Sequence, residues 1–303
     1  MKLNVLKQAS LPDALTAELA RRYHLVELTA LTDADFRALA GTFTVLITNG
    51  EASVTRELIA SLPALELIAV FGVGYDGVDV QAAAEHQVRV SHTPGVLTDD
   101  VADLALGLML ATSRQIVAAH KFIEAGEWAA GGFPWTQKVS GSRVGIVGMG
   151  RIGQAIARRC EGFAMQIAYH DRKRLPALNY AWREDLLTLA AESDFLVICT
   201  PGTAANQGLI NQPVLAALGE KGILINISRG SVIDEPALVA ALESGIIAGA
   251  GLDVFSHEPA VPAGLLQRSN VVVTPHMASA TWSTRAAMAR ALVRLKETEK
   301  FVD

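Results

Sequence analysis

The run Val144-Gly145-Ile146-Val147-Gly148-Met149-Gly150-Arg151-Ile152-Gly153 constrains this chain more than any other stretch. Alternating Val and Ile over 143–147 read as a buried strand, and a helical pattern follows at 154–160. Glycines between a strand and a helix allow a tight turn, close approach of backbone to a pyrophosphate, and close helix–strand packing. The free N–H groups of the helix start attract phosphate. Gly148, Gly150, Arg151, Ile152 and Gly153 are therefore candidate cofactor-binding residues. A GxGxxG string alone is weak in a chain with 25 glycines. Its strand–turn–helix setting gives it weight over the alternative of a purely structural turn.

Around this motif the chain alternates strands and helices. Strand patterns at 2–6, 25–28, 45–47, 67–70 and 88–90 are separated by helical ones such as 12–23 and 54–61. A second series has strands at 143–147, 166–169, 195–199, 223–227, 247–252 and 271–273. Such alternation predicts an α/β fold: two doubly wound Rossmann-like domains with a cleft between them. Residues 1–94 with 278–303 are expected to form a flavodoxin-like domain for substrate and catalysis, and 95–277 a dinucleotide-binding Rossmann domain. An apolar helix is predicted over about 99–126, its start made acidic by Asp99, Asp100 and Asp103, which suits the positive end of a helix dipole. It exceeds what one domain needs and precedes the aromatic loop AAGGFPWTQKVS, so a homodimer interface competes with plain core. The tail 279–303 reads as one more helix, polar over 295–303.

Composition excludes several classes. With 26 basic and 31 acidic residues the net charge is −5, which argues against nucleic-acid and membrane-surface partners. Cys160 and Cys199 form neither a disulfide framework nor a metal-ligand spacing, so no metal is expected. The N-terminus lacks a secretory core, and the long uncharged run at 195–219 is broken by Pro201 and Pro213. The expectation is a cytoplasmic protein.

Further chemistry sits at the predicted strand ends. After the strand at 166–169 comes His170-Asp171-Arg172-Lys173-Arg174. Asp171 would bond the adenosine ribose hydroxyls and repel a 2′-phosphate, favouring NAD. The basic residues beside it could instead hold that phosphate, so NADP stays open. Arg229 in Ile227-Ser228-Arg229-Gly230, Glu258 in Asp253-Val254-Phe255-Ser256-His257-Glu258-Pro259 and His276 in Thr274-Pro275-His276 each follow an apolar strand. Strand carboxyl ends converge on the ligand crevice of a doubly wound sheet. Meeting there, the three would make an anion clamp and an acid–base pair. Taken singly, each is as easily a surface ion pair or a structural residue.

These motifs, with GVGYDGVD (72–79), TPGVLTDDVADLALGLML (93–110) and TPHMASAT (274–281), resemble the D-isomer-specific 2-hydroxyacid dehydrogenase family from about residue 40 to 285. Within it the chain is most similar to the glyoxylate and hydroxypyruvate reductases. The resemblance implies NAD(P)H-dependent reduction of a small 2-keto acid to the D-2-hydroxy acid. Arg229 would grip the substrate carboxylate, His276 would donate the proton, and Glu258 would raise its affinity for that proton. Asp253 would hold the nicotinamide carboxamide. Val101, Thr200, Pro201, Ile227 and Ser228 would line the cofactor. Gly72, Val73 and Gly74 would offer N–H groups to the substrate, and Arg285 a further charge. Phosphoglycerate, phosphonate or formate dehydrogenation is the alternative chemistry. A non-catalytic dinucleotide sensor is the alternative class, disfavoured by the complete Arg229, Glu258 and His276 set.

Overall fold

The computed structural model describes residues 2–266 and 268–293. They form two compact units, one running to Leu97 and resuming at Ala280, the other spanning Thr98–Ser279. In the first unit the strands are β1 (Asn4–Lys7), β2 (His24–Glu27), β3 (Val45–Asn49), β4 (Leu67–Phe71) and β5 (Arg89–Ser91). They pair in parallel in the order β2-β1-β3-β4-β5, a flavodoxin-like doubly wound sheet. β3 and β4 are apolar almost throughout because helices cover both faces of such a sheet. The helix Trp282–Val293 packs on β4, and Tyr23 Oη donates to the Val293 carbonyl at 2.9 Å. The expected polar stretch 295–303 lies outside the described residues.

The second unit carries β6 (Arg143–Val147), β7 (Gln166–His170), β8 (Ala181–Trp182), β9 (Phe195–Ile198), β10 (Ile223–Asn226), β11 (Gly249–Leu252) and β12 (Val271–Val273). All are parallel, ordered β12-β11-β10-β9-β6-β7-β8. The chain order reverses between β6 and β9, which is where a doubly wound sheet binds its ligand. Its core includes Ile146, Ile156, Leu196, Leu224 and Leu252. Each such fully buried aliphatic side chain contributes about 1.5–3 kcal/mol. The sequence pattern misses β8, a two-residue edge strand too short to alternate. It also starts the helix after the glycines too late: Arg151 and Ile152 already belong to Arg151–Glu161.

The single helix expected over 99–126 is two. Thr98–Ser113 buries Val101, Ala102, Ala105, Leu106, Leu108, Met109, Thr112 and Ser113, whereas Ile116–Glu124 buries nothing. The two are bent by 54° at Gln115, whose φ of 48° is left-handed. The break falls where the core ends: Ser113 Oγ donates to the Gln137 carbonyl and Arg114 Nε to Thr136 Oγ1, tying the returning loop to the helix end. Asp99 and Asp103 do more than favour the helix dipole, since both pair with Arg159 on Arg151–Glu161, at 3.1 and 2.5 Å. Among the described residues no single helix is long and apolar enough to cross a membrane.

Candidate active site

The glycine loop after β6 is shaped by contacts no other residue would permit. Gly148 has φ +93°, its N–H donates to the His170 carbonyl at 2.9 Å, and a Cβ there would fall 2.8 Å from Thr200 N. A Cβ at Gly153 would lie 2.2 Å from the Gly148 carbonyl oxygen, so helix and loop pack backbone to backbone. Gly150 faces open space and caps Arg151–Glu161 without any side-chain hydrogen bond. The first-turn N–H groups are thus left for an external acceptor, and a pyrophosphate fits both the cradle and its donors. Asp171 closes the far side: Oδ2 accepts from Met149 N–H at 2.9 Å and Oδ1 from Arg172 N–H at 2.7 Å. Arg172, Lys173 and Arg174 are exposed beside it. Trp182 Nε1 donates to the Asp171 carbonyl at 3.3 Å, which gives the overlooked strand β8 a role. Thr200 and Pro201, at the end of β9, are bridged by Asn206 Nδ2 at 3.0 and 2.9 Å. Val101, in the first turn of Thr98–Ser113, is buried.

At the ends of β10, β11 and β12 the loops bearing Arg229, Glu258 and His276 follow one another. His276 Nδ1 lies 2.7 Å from Glu258 Oε2, with both side chains about a quarter exposed (29% and 24%). Glu258 Oε1 accepts from Phe255 N–H at 2.8 Å. Burial works to raise the Glu258 pKa. The hydrogen bond from His276, the Phe255 N–H and the charges of His276 and Arg229 outweigh it, holding the carboxyl below its ordinary value. A carboxylate ionised beside an imidazole favours the imidazolium. Arg229 is extended (φ −143°), and its Nη1 donates to the Ser228 carbonyl at 2.7 Å. Ile227 is buried, and Ser228 turns its hydroxyl onto Asn226 at 3.1 Å.

Asp253 follows β11. Its side chain is fully buried and takes Thr274 Oγ1 at 2.6 Å and the N–H groups of Met277 and Ala278 at 2.9 Å each. Its carbonyl accepts from His276 N–H at 2.8 Å. Burial raises its pKa, against the pull of these hydrogen bonds and of His276. The carboxylate holds the loop on which His276 sits at a left-handed φ of 48°. Such a conformation is costly for a residue with a Cβ and persists only where its surroundings impose it.

In the first unit, Gly72-Val73-Gly74 follow β4. Gly72 N–H turns back to the Val70 carbonyl at 3.0 Å, whereas among the described residues no acceptor is found for the N–H groups of Val73 and Gly74. The loop is braced by residues whose role the sequence did not reveal. Thr93 donates twice to the Gly72 carbonyl, and His92 Nδ1 lies 2.8 Å from the Val73 carbonyl while its ring meets Tyr75 edge-on at 5.2 Å. Arg285 stands 5.6 Å over the Phe71 ring. Half-burial lowers its pKa, against the pull of Glu51.

A dinucleotide cradle at the sheet's switch point, with an imidazole–carboxylate pair and an arginine at neighbouring strand ends, defines a nicotinamide-dependent oxidoreductase. Residues 106–278 match the family model of the D-isomer specific 2-hydroxyacid dehydrogenase NAD-binding domain. The chain is 45% identical over 293 residues to hydroxyphenylpyruvate reductase of Plectranthus scutellarioides, covering 96% of this chain and 94% of that one. It is 40% identical to glyoxylate/hydroxypyruvate reductase A of Arabidopsis thaliana, over the same shares of each. The crystal structure of the NADPH-dependent glyoxylate/hydroxypyruvate reductase of Sinorhizobium meliloti with NADP and malonate superposes with a TM-score of 0.92. Identity there is 40%, covering 100% of this chain and 97% of that one. The chain belongs to the D-isomer-specific 2-hydroxyacid dehydrogenases, and its cofactor is NAD(P).

Proposed function

We propose that this enzyme reduces glyoxylate or hydroxypyruvate to the D-2-hydroxy acid, with NADH preferred over NADPH. The observation that carries the reading is the 2.7 Å His276–Glu258 pair in a family of 2-hydroxyacid dehydrogenases. When bound, the reduced nicotinamide supplies the hydride. Gly148, Gly150, Arg151, Ile152 and Gly153 cradle the pyrophosphate, Asp171 the adenosine ribose, and Thr200, Pro201, Ile227, Ser228 and Val101 flank the site. Arg229 binds the substrate carboxylate as a planar two-pronged donor and polarises the neighbouring carbonyl. His276 gives the carbonyl oxygen its proton from Nε2 while Nδ1–H stays on Glu258. Asp253 keeps the His276 loop in place. Val73 and Gly74, with Gly72 shaping their turn, and Arg285 are the first unit's groups for the substrate.

In this reading the unit Thr98–Ser279 serves the dinucleotide and the other unit the substrate. The enzyme works in the cytoplasm as a homodimer joined through Ile116–Glu124 and the loop that follows, where Ile116, Val117, Ile123 and Trp128 are exposed. The 45% identity to a hydroxyphenylpyruvate reductase supports a second reading, in which an aromatic 2-keto acid is the better substrate. Oxidation of NADH and NADPH is to be followed with glyoxylate, hydroxypyruvate and 4-hydroxyphenylpyruvate, and again with His276→Ala. The proposal expects turnover of the small acids and a kcat about 10² to 10⁴-fold lower in the variant. No oxidation with any 2-keto acid sinks it, and a preference for the aromatic acid moves it to the second reading.

A further inference from the structure

At the carboxyl end of β10 lies a polar side chain with no exposed surface: Asn226 is 0% exposed. Three apolar residues precede it in the strand, Ile223, Leu224 and Ile225, all buried. An apolar residue in its place would suit the core, and burying an amide is costly unless each polar atom is paired. Here all of them work on the loop that carries Arg229. Nδ2 donates to the Arg229 carbonyl at 2.9 Å. Oδ1 accepts from Ser228 N–H at 3.0 Å and from Ser228 Oγ at 3.1 Å. A carbonyl can only accept and a peptide N–H can only donate, so the orientation of the amide is unambiguous.

The same residue joins two loops. Its main-chain carbonyl accepts from Asp253 N–H at 2.9 Å, and the Asp253 carbonyl accepts in turn from His276 N–H at 2.8 Å. Asn226 and Asp253 are therefore paired anchors at adjacent strand ends, one for the arginine loop and one for the histidine loop. The stem of Arg229 is also closed in from outside its own loop. A Cβ on Gly202 would fall 2.7 Å from Arg229 Cγ and 3.0 Å from its Cβ. With the stem walled on that side, the direction of the guanidinium depends on where the Arg229 peptide is pinned.

We propose that Asn226 is a positioning residue for Arg229: its carboxamide holds the Arg229 peptide so that the guanidinium meets a 2-keto acid carboxylate. This rests on the role proposed for Arg229. Asparagine is the side chain that reaches both partners with a donor and an acceptor. Aspartate of the same shape keeps the acceptor for Ser228 and loses the donor to Arg229, while serine and alanine fall short of the Arg229 carbonyl.

The test is a double-mutant cycle on the whole enzyme. Asn226→Asp is expected to raise the KM for glyoxylate and the inhibition constant of oxamate, a carboxylate-bearing mimic of the substrate, by about tenfold. The Kd for NADH, titrated by nicotinamide fluorescence, should stay within about twofold, the margin within which uncoupled sites behave independently. In an Arg229→Ala background the same substitution should add nothing further to KM or kcat/KM, because the group it positions is gone. Multiplicative losses in the double variant overturn the proposal, and so does an NADH Kd that worsens as much as oxamate binding. If the buried carboxylate prevents folding, Asn226→Ser runs the same cycle. Should Arg229→Ala alone leave glyoxylate kinetics unchanged, the reading of Arg229 fails and takes this one with it, an outcome distinct from an intact arginine effect without coupling.

Discussion

Replacing Glu258 with glutamine tests the pairing at the centre of the proposed chemistry. Glu258 Oε1 is engaged by Phe255 N–H at 2.8 Å, so a glutamine that keeps this bond must point its amide NH₂ at His276 Nδ1, where Oε2 now lies at 2.7 Å. A donor then faces the nitrogen that donates in the imidazolium, and the charged ring loses its acceptor. A hydrogen bond to a charged group contributes about 1.5–3 kcal/mol. At 1.36 kcal/mol per pH unit that is a change of about 1–2 units in proton affinity. The sign follows from the site. Glu258 is held below the ordinary carboxylate range, so it is ionised throughout neutral pH and stabilises the imidazolium. In the proposed reaction His276 gives up a proton from that imidazolium, so the rate should fall as pH rises through its titration. Removing the carboxylate must move the alkaline limb of kcat/KM to lower pH, by about one unit or more. The assay is steady-state reduction of hydroxypyruvate between pH 5 and 10 in constant ionic strength. If the alkaline limb in Glu258→Gln coincides with that of the parent, Glu258 does not tune His276 and the pairing is structural only.

Three further outcomes follow from the same geometry. Asp171→Ser removes the carboxylate that accepts from Met149 N–H and should shift preference toward NADPH, aided by the exposed Arg172 and Lys173; an unchanged NADH/NADPH ratio refutes the assignment. Gly150→Ala has open space and a φ of −72°, so it should keep the parent Tm yet weaken NADH binding, whereas Gly153→Ala, clashing with the Gly148 carbonyl, should lower folding stability by about 1–3 kcal/mol, and the Tm with it, as well as weaken NADH binding. Calorimetry and NADH titration on the two variants separate the effects, and equal Tm values would refute the packing argument. Light scattering at micromolar concentration should give about twice 32.1 kDa, and a clean monomer mass removes the dimer.

Much of this molecule was legible in its sequence because the signals were local. A buried parallel strand reads as an apolar run, and β6, β9 and β12 lie at or within one residue of where the pattern puts them. The glycines after β6 carry their own constraint, since the turn and the helix contact involve neighbours in the chain. That Arg229, Glu258 and His276 lie on one sheet edge was readable because each follows an apolar strand, and strand ends in a doubly wound sheet share one edge.

What eluded the sequence depends on partners distant in the chain. The helix over 99–126 breaks at Gln115 because the core ends at Ser113 and the loop at 136–137 bonds back to it, which no window around residue 115 contains. Arg159 reaches Asp99 and Asp103 across more than fifty residues of sequence. Asp253 follows an apolar strand in the sequence, and the three donors that claim it come from residues 274–278, beyond the next strand. Asn226 falls inside the apolar run 223–227, and an asparagine between two isoleucines is a sequence signal for a buried, paired amide. Composition and periodicity determine which residues are inside and which follow a strand. Which buried polar atom meets which loop is decided only when β10, β11 and β12 lie side by side, because a hydrogen bond requires its partners within about 3 Å and chain order sets no such distance.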